Sequence, residues 1–115
     1  MKRIDAIIRK TKFEEVKKAL HETDIDFFSY WEVHGVGTSR QGQVVRGVVV
    51  DTSSIDRIFI TFVLRDINLQ KAINAIQKAA RTGEIGDGKI FVSTVEESIR
   101  IRTGEAGDES LYVKD

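Results

Sequence analysis

Apolar residues alternate over the first ten positions. Ile4, Ala6 and Ile8 share one parity, and Arg3, Asp5, Ile7 and Arg9 share the other. A side-chain period of two predicts a strand from Arg3 to Arg9. Ile7, on the polar parity, predicts that the second face is also partly covered. The period then changes. Phe13, Val16, Ala19 and Leu20 recur at helical spacing. Thr11 and Glu14 stand just before them in a capping-box pattern. The helix is expected to fade near Thr23 and Asp24. His21 falls in its last turn, where an imidazole meets the favourable end of the helix dipole.

Phe27 to Gly35 is aromatic and strand-like, with Phe27, Phe28, Tyr30, Trp31 and Val33 spread over both parities. One parity is expected in the core, and the other meets another subunit or lies exposed. His34 ends this strand, with no second histidine or cysteine beside it to suggest a metal site. A long connection follows, from Gly35 to Asp56, and such lengths usually mark a functional loop. Its middle is apolar, Val44, Val45, Val48, Val49 and Val50, around Arg46 and Gly47. The simplest reading is a hairpin turning at Arg46-Gly47, and a segment ordered by a partner is the other. Arg57 to Leu64 is the third strand. Leu69, Ala72, Ile73, Ile76, Ala79 and Ala80 then trace a helical apolar face, with Asp66 or Asn68 as cap and Gly83 as its close. Lys89 to Thr94 is the fourth strand. Ile99 to Arg102 alternates in extended fashion, which would put Arg100 and Arg102 on one face as an anion clamp. A solvent-exposed basic edge is the plainer reading.

The order strand, helix, strand, long loop, strand, helix, strand is the split βαβ, ferredoxin-like plan, an α+β class. Both helices lie on one face of a four-stranded antiparallel sheet. The other face is bare unless subunits cover it. One domain spans residues 1–115.

Composition removes function classes. Lys plus Arg and Asp plus Glu are both 18, so no global basic field points to nucleic acid. Cysteine is absent, which removes disulfides, thiol catalysis and cysteine metal sites. That suits a reducing cytoplasm. The N-terminus has only a short apolar run broken by Asp5, unlike a signal peptide or a membrane span.

Candidate chemistry concentrates in Thr82 to Phe91, where Gly83, Gly86 and Gly88 surround an acid and precede Lys89. The spacing nearly spells a P-loop. Ile90 stands where Ser or Thr should hold magnesium, and the order is helix, loop, strand rather than strand, loop, helix. Glycine backbone donors beside a lysine still suit a polyphosphate. A helix C-cap at Gly83 and an ordinary turn fit the spacing about equally well. Glu84 and Asp87 could orient water for a slow ATPase, but no paired-carboxylate, histidine-assisted or cysteine nucleophile supports turnover. The aromatics from Phe27 to Trp31 could stack bases, although the RNA-binding signature is absent.

TGEIGDGKIFV and SIRIRTGE, together with KRIDAIIRK at the start, resemble the PII signal-transduction family over nearly the whole chain. The resemblance implies a non-enzymatic regulator of nitrogen metabolism. It implies a homotrimer whose sheets form a barrel-like core, with a nucleotide site in each cleft between neighbours. ATP and ADP would compete there, with magnesium and, in many members, 2-oxoglutarate bridged to ATP. Gly86, Asp87, Gly88 and Lys89 would hold phosphates from one subunit, and Arg100 and Arg102 from the next. Gly35, Val36, Gly37 and Thr38 would lie along the nucleotide. Ile7, Ser29, Val63 and Leu64 would shape the adenine and ribose pocket. The T-loop would span about 37–55, the B-loop about 82–89 and the C-loop about 95–107.

The T-loop departs from the family. Thr38-Ser39 follows Gly37 directly, and Arg40-Gln41-Gly42 comes two places later than expected. Gln41 either takes the magnesium and 2-oxoglutarate role or that role is lost. Arg57 replaces the lysine near the 2-oxoglutarate carboxylate. Near the place of the modified tyrosine stand Val48, Val49 and Val50, while Tyr30 and Tyr112 lie outside the loop. Arg46 and Gly47 match an arginine-glycine pair that contacts partners, including ammonium transporters. The alternative within the family is a specialised regulator without 2-oxoglutarate sensing, serving another partner or small effector.

Overall fold

A computed structural model describes residues 1–36, 43–45, 48–50 and 56–111. Strand β1 is Lys2–Arg9 and helix α1 is Phe13–Glu22. They are followed by β2 (Ser29–His34), β3 (Gln43–Val45), β4 (Val48–Val50), β5 (Asp56–Leu64), α2 (Leu69–Ala80) and β6 (Gly88–Thr94). The main sheet runs β2-β5-β1-β6, with every neighbouring pair antiparallel. This is the expected ferredoxin-like plan.

The alternation in β1 sets which face is core. Ile4, Ala6 and Ile8 are buried, as are Ile58, Ile60, Phe62 and Leu64 opposite them on β5. Phe13, Val16 and Leu20 of α1 and Ala72, Ile76 and Ala80 of α2 close over that face. The apolar spacing of each helix therefore points at the sheet, as a 3.6-residue period requires.

The opposite face carries the odd-numbered residues in register. One row reads Trp31, Phe59, Ile7, Lys89, and the next reads Ser29, Thr61, Asp5, Phe91. Trp31 stacks on Phe59 with ring centroids 4.6 Å apart, yet remains 48% exposed. The Thr61 hydroxyl donates to Asp5 Oδ1 at 2.7 Å. The mixed parity of the aromatic segment is resolved by this split. Tyr30 turns to the helix side and packs on Phe13, at 4.5 Å between centroids, while Trp31 turns away. Phe27 and Phe28 precede the strand, and Phe28 packs against the core. The aromatics thus present no single platform for stacked bases.

Among the described residues, strands β3 and β4 pair with each other, with Val45 opposite Val48. That antiparallel register agrees with the hairpin that the valine run predicts. The turn residues themselves lie outside the described residues.

Three local expectations are corrected. The capping box at Thr11 and Glu14 does not form. A 3-10 turn, Lys10–Lys12, leads into α1, whose cap position is Lys12 and carries no side-chain cap bond. Likewise a 3-10 turn, Asp66–Asn68, precedes α2, and Asn68 holds the cap position without a side-chain cap bond. Asp66 instead pairs with the Met1 amino group at 3.0 Å. In both places the tighter turn supplies the first helical geometry, so a capping side chain is not required. Third, α2 ends at Ala80 with an extended Arg81, and Gly83 lies beyond it in the following turn.

Candidate functional site

The loop between α2 and β6 is built around one carboxylate. Asp87 Oδ1 accepts from Arg9 Nε at 3.0 Å and from the Thr82 hydroxyl. Asp87 Oδ2 accepts from the Thr82 and Gly83 backbone N–H groups, each at 2.9 Å. The Thr82 hydroxyl and the two backbone donors, together with Arg9, hold the Asp87 carboxyl well below the usual carboxylate range. The backbone donors that converge in this turn are those of Thr82 and Gly83, and the anion they meet is internal. Both donors are satisfied by the loop's own aspartate. Asp87 therefore organises the loop, and Glu84 N–H joins by donating to Thr82 Oγ1 at 3.2 Å.

Glycine is needed at two points. Gly88 has φ +102, and a Cβ there would sit 1.8 Å from the Ile7 carbonyl oxygen. The β1–β6 pairing at Ile8 and Gly88 thus depends on the absent side chain. Gly86 has φ +98, and a Cβ would meet Arg57 Nη2 at 3.1 Å and Arg9 Nη2 at 3.4 Å. Two guanidinium groups therefore converge over Gly86.

Strand register explains the convergence. Arg9 and Arg57 are partners across β1–β5, and Ile7 and Lys89 are partners across β1–β6. Period-two geometry puts Arg9, Arg57 and Lys89 on the same face, at its loop end. Arg9 is committed to Asp87 and to the Ile85 carbonyl at 2.9 Å. Arg57 has no hydrogen bond or ion pair among the described residues. Burial, then the neighbouring Arg9, push its pKa below the ordinary guanidinium value. Arg9 and Arg57 thus crowd Gly86 beside a single carboxylate that is already engaged, with Lys89 on the same sheet face.

Ile7, Asp87, Gly88 and Lys89 line a cleft of about 340 Å³ against the end of α2. Ser29, Val63 and Leu64 line a second cleft of about 490 Å³, with Ser110 and Leu111 at its rim. Val63 pairs with Arg3, four residues from Ile7 along β1. At about 3.3 Å per residue that is roughly 13 Å. Within one chain the expected adenine residues therefore fall into two groups rather than one pocket. Gly35 and Val36 follow β2 directly, and Val36 is exposed. Gly37, Thr38, Gln41, Arg46 and Gly47 lie outside the described residues.

The C-terminal arginines require a correction. Ile99 to Arg102 is not extended. Arg100 N–H donates to the Glu105 carbonyl and Gly104 N–H to the Arg100 carbonyl, both at 2.8 Å, closing a tight loop. Gly104, with φ +75, supplies the reversal that the alternating isoleucines and arginines do not reveal. Arg100 and Arg102 do not share a strand face. The Arg100 side chain, 13% exposed, pairs with Glu105 Oε2 at 3.3 Å and donates to the Glu109 carbonyl at 2.9 Å. Arg102 is exposed.

Sequence reasoning missed Arg9 and Thr82 as parts of the site. Arg9 reads as a polar strand residue, and its role appears only through the β1–β5 and β1–β6 registers. Thr82 lies five residues before the carboxylate it serves, a spacing that a turn-forming loop could have suggested. Among the described residues no cluster of three His, Cys, Asp or Glu could hold a metal ion. No helix among them is long and apolar enough to cross a membrane.

Residues 1–105 match the family described as nitrogen regulatory protein P-II. The chain is 44% identical over 112 residues to the nitrogen regulatory protein P-II of Rhodospirillum rubrum, covering 96% of this chain and 100% of that protein. The corresponding proteins of Azospirillum brasilense and Rhodobacter capsulatus are each 45% identical over the same coverage. Family match, near-complete coverage, sheet order and the glycine-rich loop agree: this chain belongs to the P-II family of nitrogen regulatory proteins.

Proposed function

We propose that this chain is a non-enzymatic regulator that binds ATP and ADP through the Gly86–Lys89 loop. The observation that carries the reading is the convergence of Arg9 and Arg57 on Gly86, with Lys89 on the same sheet face. A triphosphate supplies the negative charge that this cluster lacks, and its magnesium arrives on the nucleotide. The engaged Asp87 speaks against hydrolysis, because its acceptor positions hold the loop rather than an attacking water.

A homotrimer completes the site in this reading. The Ile7 cleft of one copy would take the phosphates and part of the base. The Ser29, Val63 and Leu64 cleft of a neighbour, with its Arg100 and Arg102, would close over the rest. Two separated half-sites in one chain and an apolar open face with Trp31, Phe59 and Phe91 support this assembly. The T-loop then carries the signal to partners, with Arg46 and Gly47 as contacts. A ligand shifts that output only by its differential affinity for the states of the protein.

Arg57 favours the specialised reading, in which 2-oxoglutarate is not sensed. Its guanidinium already lies against Gly86 and leaves less room than a lysine ammonium would. Calorimetric titration with ATP and magnesium, with and without 2-oxoglutarate, tests both readings. ATP binding with no change on adding 2-oxoglutarate is the expected result. Absence of ATP binding would overturn the nucleotide reading, and enhanced ATP affinity would restore 2-oxoglutarate sensing through Gln41 or a substitute.

A further inference from the structure

The β2–β5 ladder has six rungs, and its last is His34 opposite Asp56. His34 Nδ1 and Asp56 Oδ1 are 2.9 Å apart. Immediately beyond this rung the chain departs on both sides into the connection between the two strands. Among the described residues, the charged groups around it are few. Glu32, one rung pair back on the same face of β2, is held by Lys10 at 2.8 Å. Lys10 belongs to the 3-10 turn after β1. Its proton is held first by Glu32, and the Asp56 carboxylate adds a weaker attraction. Arg57, the next residue of β5, lies on the opposite face with Val33.

With a neutral imidazole this cluster holds one cation, Lys10, and two carboxylates, Glu32 and Asp56. Protonation of His34 balances it and turns a hydrogen bond between a neutral imidazole and the Asp56 carboxylate into an ion pair. Histidine is the side chain whose charge changes within the physiological pH range. Both groups are solvent-exposed, so the gain is modest.

We propose that His34 and Asp56 form a proton-sensitive rung that sets where the β2–β5 ladder ends. In acid the rung is closed and the ladder ends at His34 and Asp56. As pH rises the rung opens more often and the ladder shortens to Val33 and Arg57. The device is independent of nucleotide and goes beyond the binding function proposed above. It would couple proton concentration to the segment through which a nucleotide signal leaves the body.

Amide protection factors of residues 33–36 and 56–58 test it, measured by NMR on the full chain without nucleotide at pH 6 and pH 8. Normalising to intrinsic exchange removes the trivial pH effect. The expected result is protection about two- to fivefold higher at pH 6 in the parent chain. That difference should vanish in both His34→Gln and Asp56→Asn. Distant core amides of β1 and β5 serve as the check that both variants are folded. A flat profile in the parent chain would overturn the proposal. So would a pH response that persists in His34→Gln.

Discussion

Arg9 Nε donates to Asp87 Oδ1 at 3.0 Å across 78 positions of sequence. This contact ties the first strand to the glycine-rich loop before the last one. It also decides what Asp87 does. A carboxylate that accepts from Arg9, from the Thr82 hydroxyl and from two backbone N–H groups is a fixed internal anion, around which the surrounding cations are arranged.

The pH dependence of Asp87 follows from its depressed pKa. A depressed folded value means that the stabilisation is fully present above the unfolded carboxyl pKa, about 3.9, and is lost as pH falls through the folded value. Asp87→Asn should therefore be less stable than the parent by a constant amount between pH 5 and 8. The gap should close only in strong acid. Urea unfolding of both proteins across that range checks the sign and the window.

Gly88 and Gly83 both have positive φ, but their surroundings differ. At Gly88 a Cβ would collide with the Ile7 carbonyl, whereas nothing lies within 4 Å of one at Gly83. Gly83→Ala should cost about 1 kcal/mol, from backbone strain alone. Gly88→Ala should cost about 4 kcal/mol or more, because β1 and β6 must separate there. Denaturant midpoints of the two variants give the comparison directly.

Lys89 separates phosphate binding from base binding. On the proposed site, Lys89→Ala should weaken ATP by about ten- to a hundredfold, the loss of a charge-assisted contact. Adenosine affinity should change little. Equal loss for both ligands in calorimetry would place Lys89 away from the phosphates.

The open face gives an assembly test. Phe91→Arg puts a charge on the open face, on the rung of Asp5 and Thr61 and diagonal to Ile7, without touching the helix-side core. Sedimentation velocity should show the parent as a trimer and the variant as smaller species, with ATP binding reduced in step. A parent that sediments as a monomer would remove the shared-site proposal.

Ile60 sits at the centre of the covered face and is fully buried. Ile60→Ala should destabilise the fold by about 2–5 kcal/mol, through lost transfer energy and a cavity between sheet and helices. Thermal and urea unfolding read the cost. Arg9, Arg57 and Lys89 lie on the other face, so a folded variant should retain its loop geometry.

The chain's own pattern determined the architecture. Period-two and period-3.6 apolar spacing marked β1, α1, β5, α2 and β6, and the valine run marked the β3–β4 hairpin. Such spacing is legible because burial of one face acts on every residue of an element at once. The glycine-rich loop was legible as a tight turn for the same kind of reason, since few residues tolerate its backbone. The helix starts were not legible, because a 3-10 turn and a capping side chain meet the same need and look alike in sequence. The C-terminal arginines misled because alternation over four residues is too short to exclude a loop closed by Gly104. Only tertiary structure decided that Arg9 belongs to the site and that Asp87 is its internal anchor. Those facts depend on the register between strands far apart in sequence. That register is chosen by the packing of the whole core, and no local stretch of residues carries it.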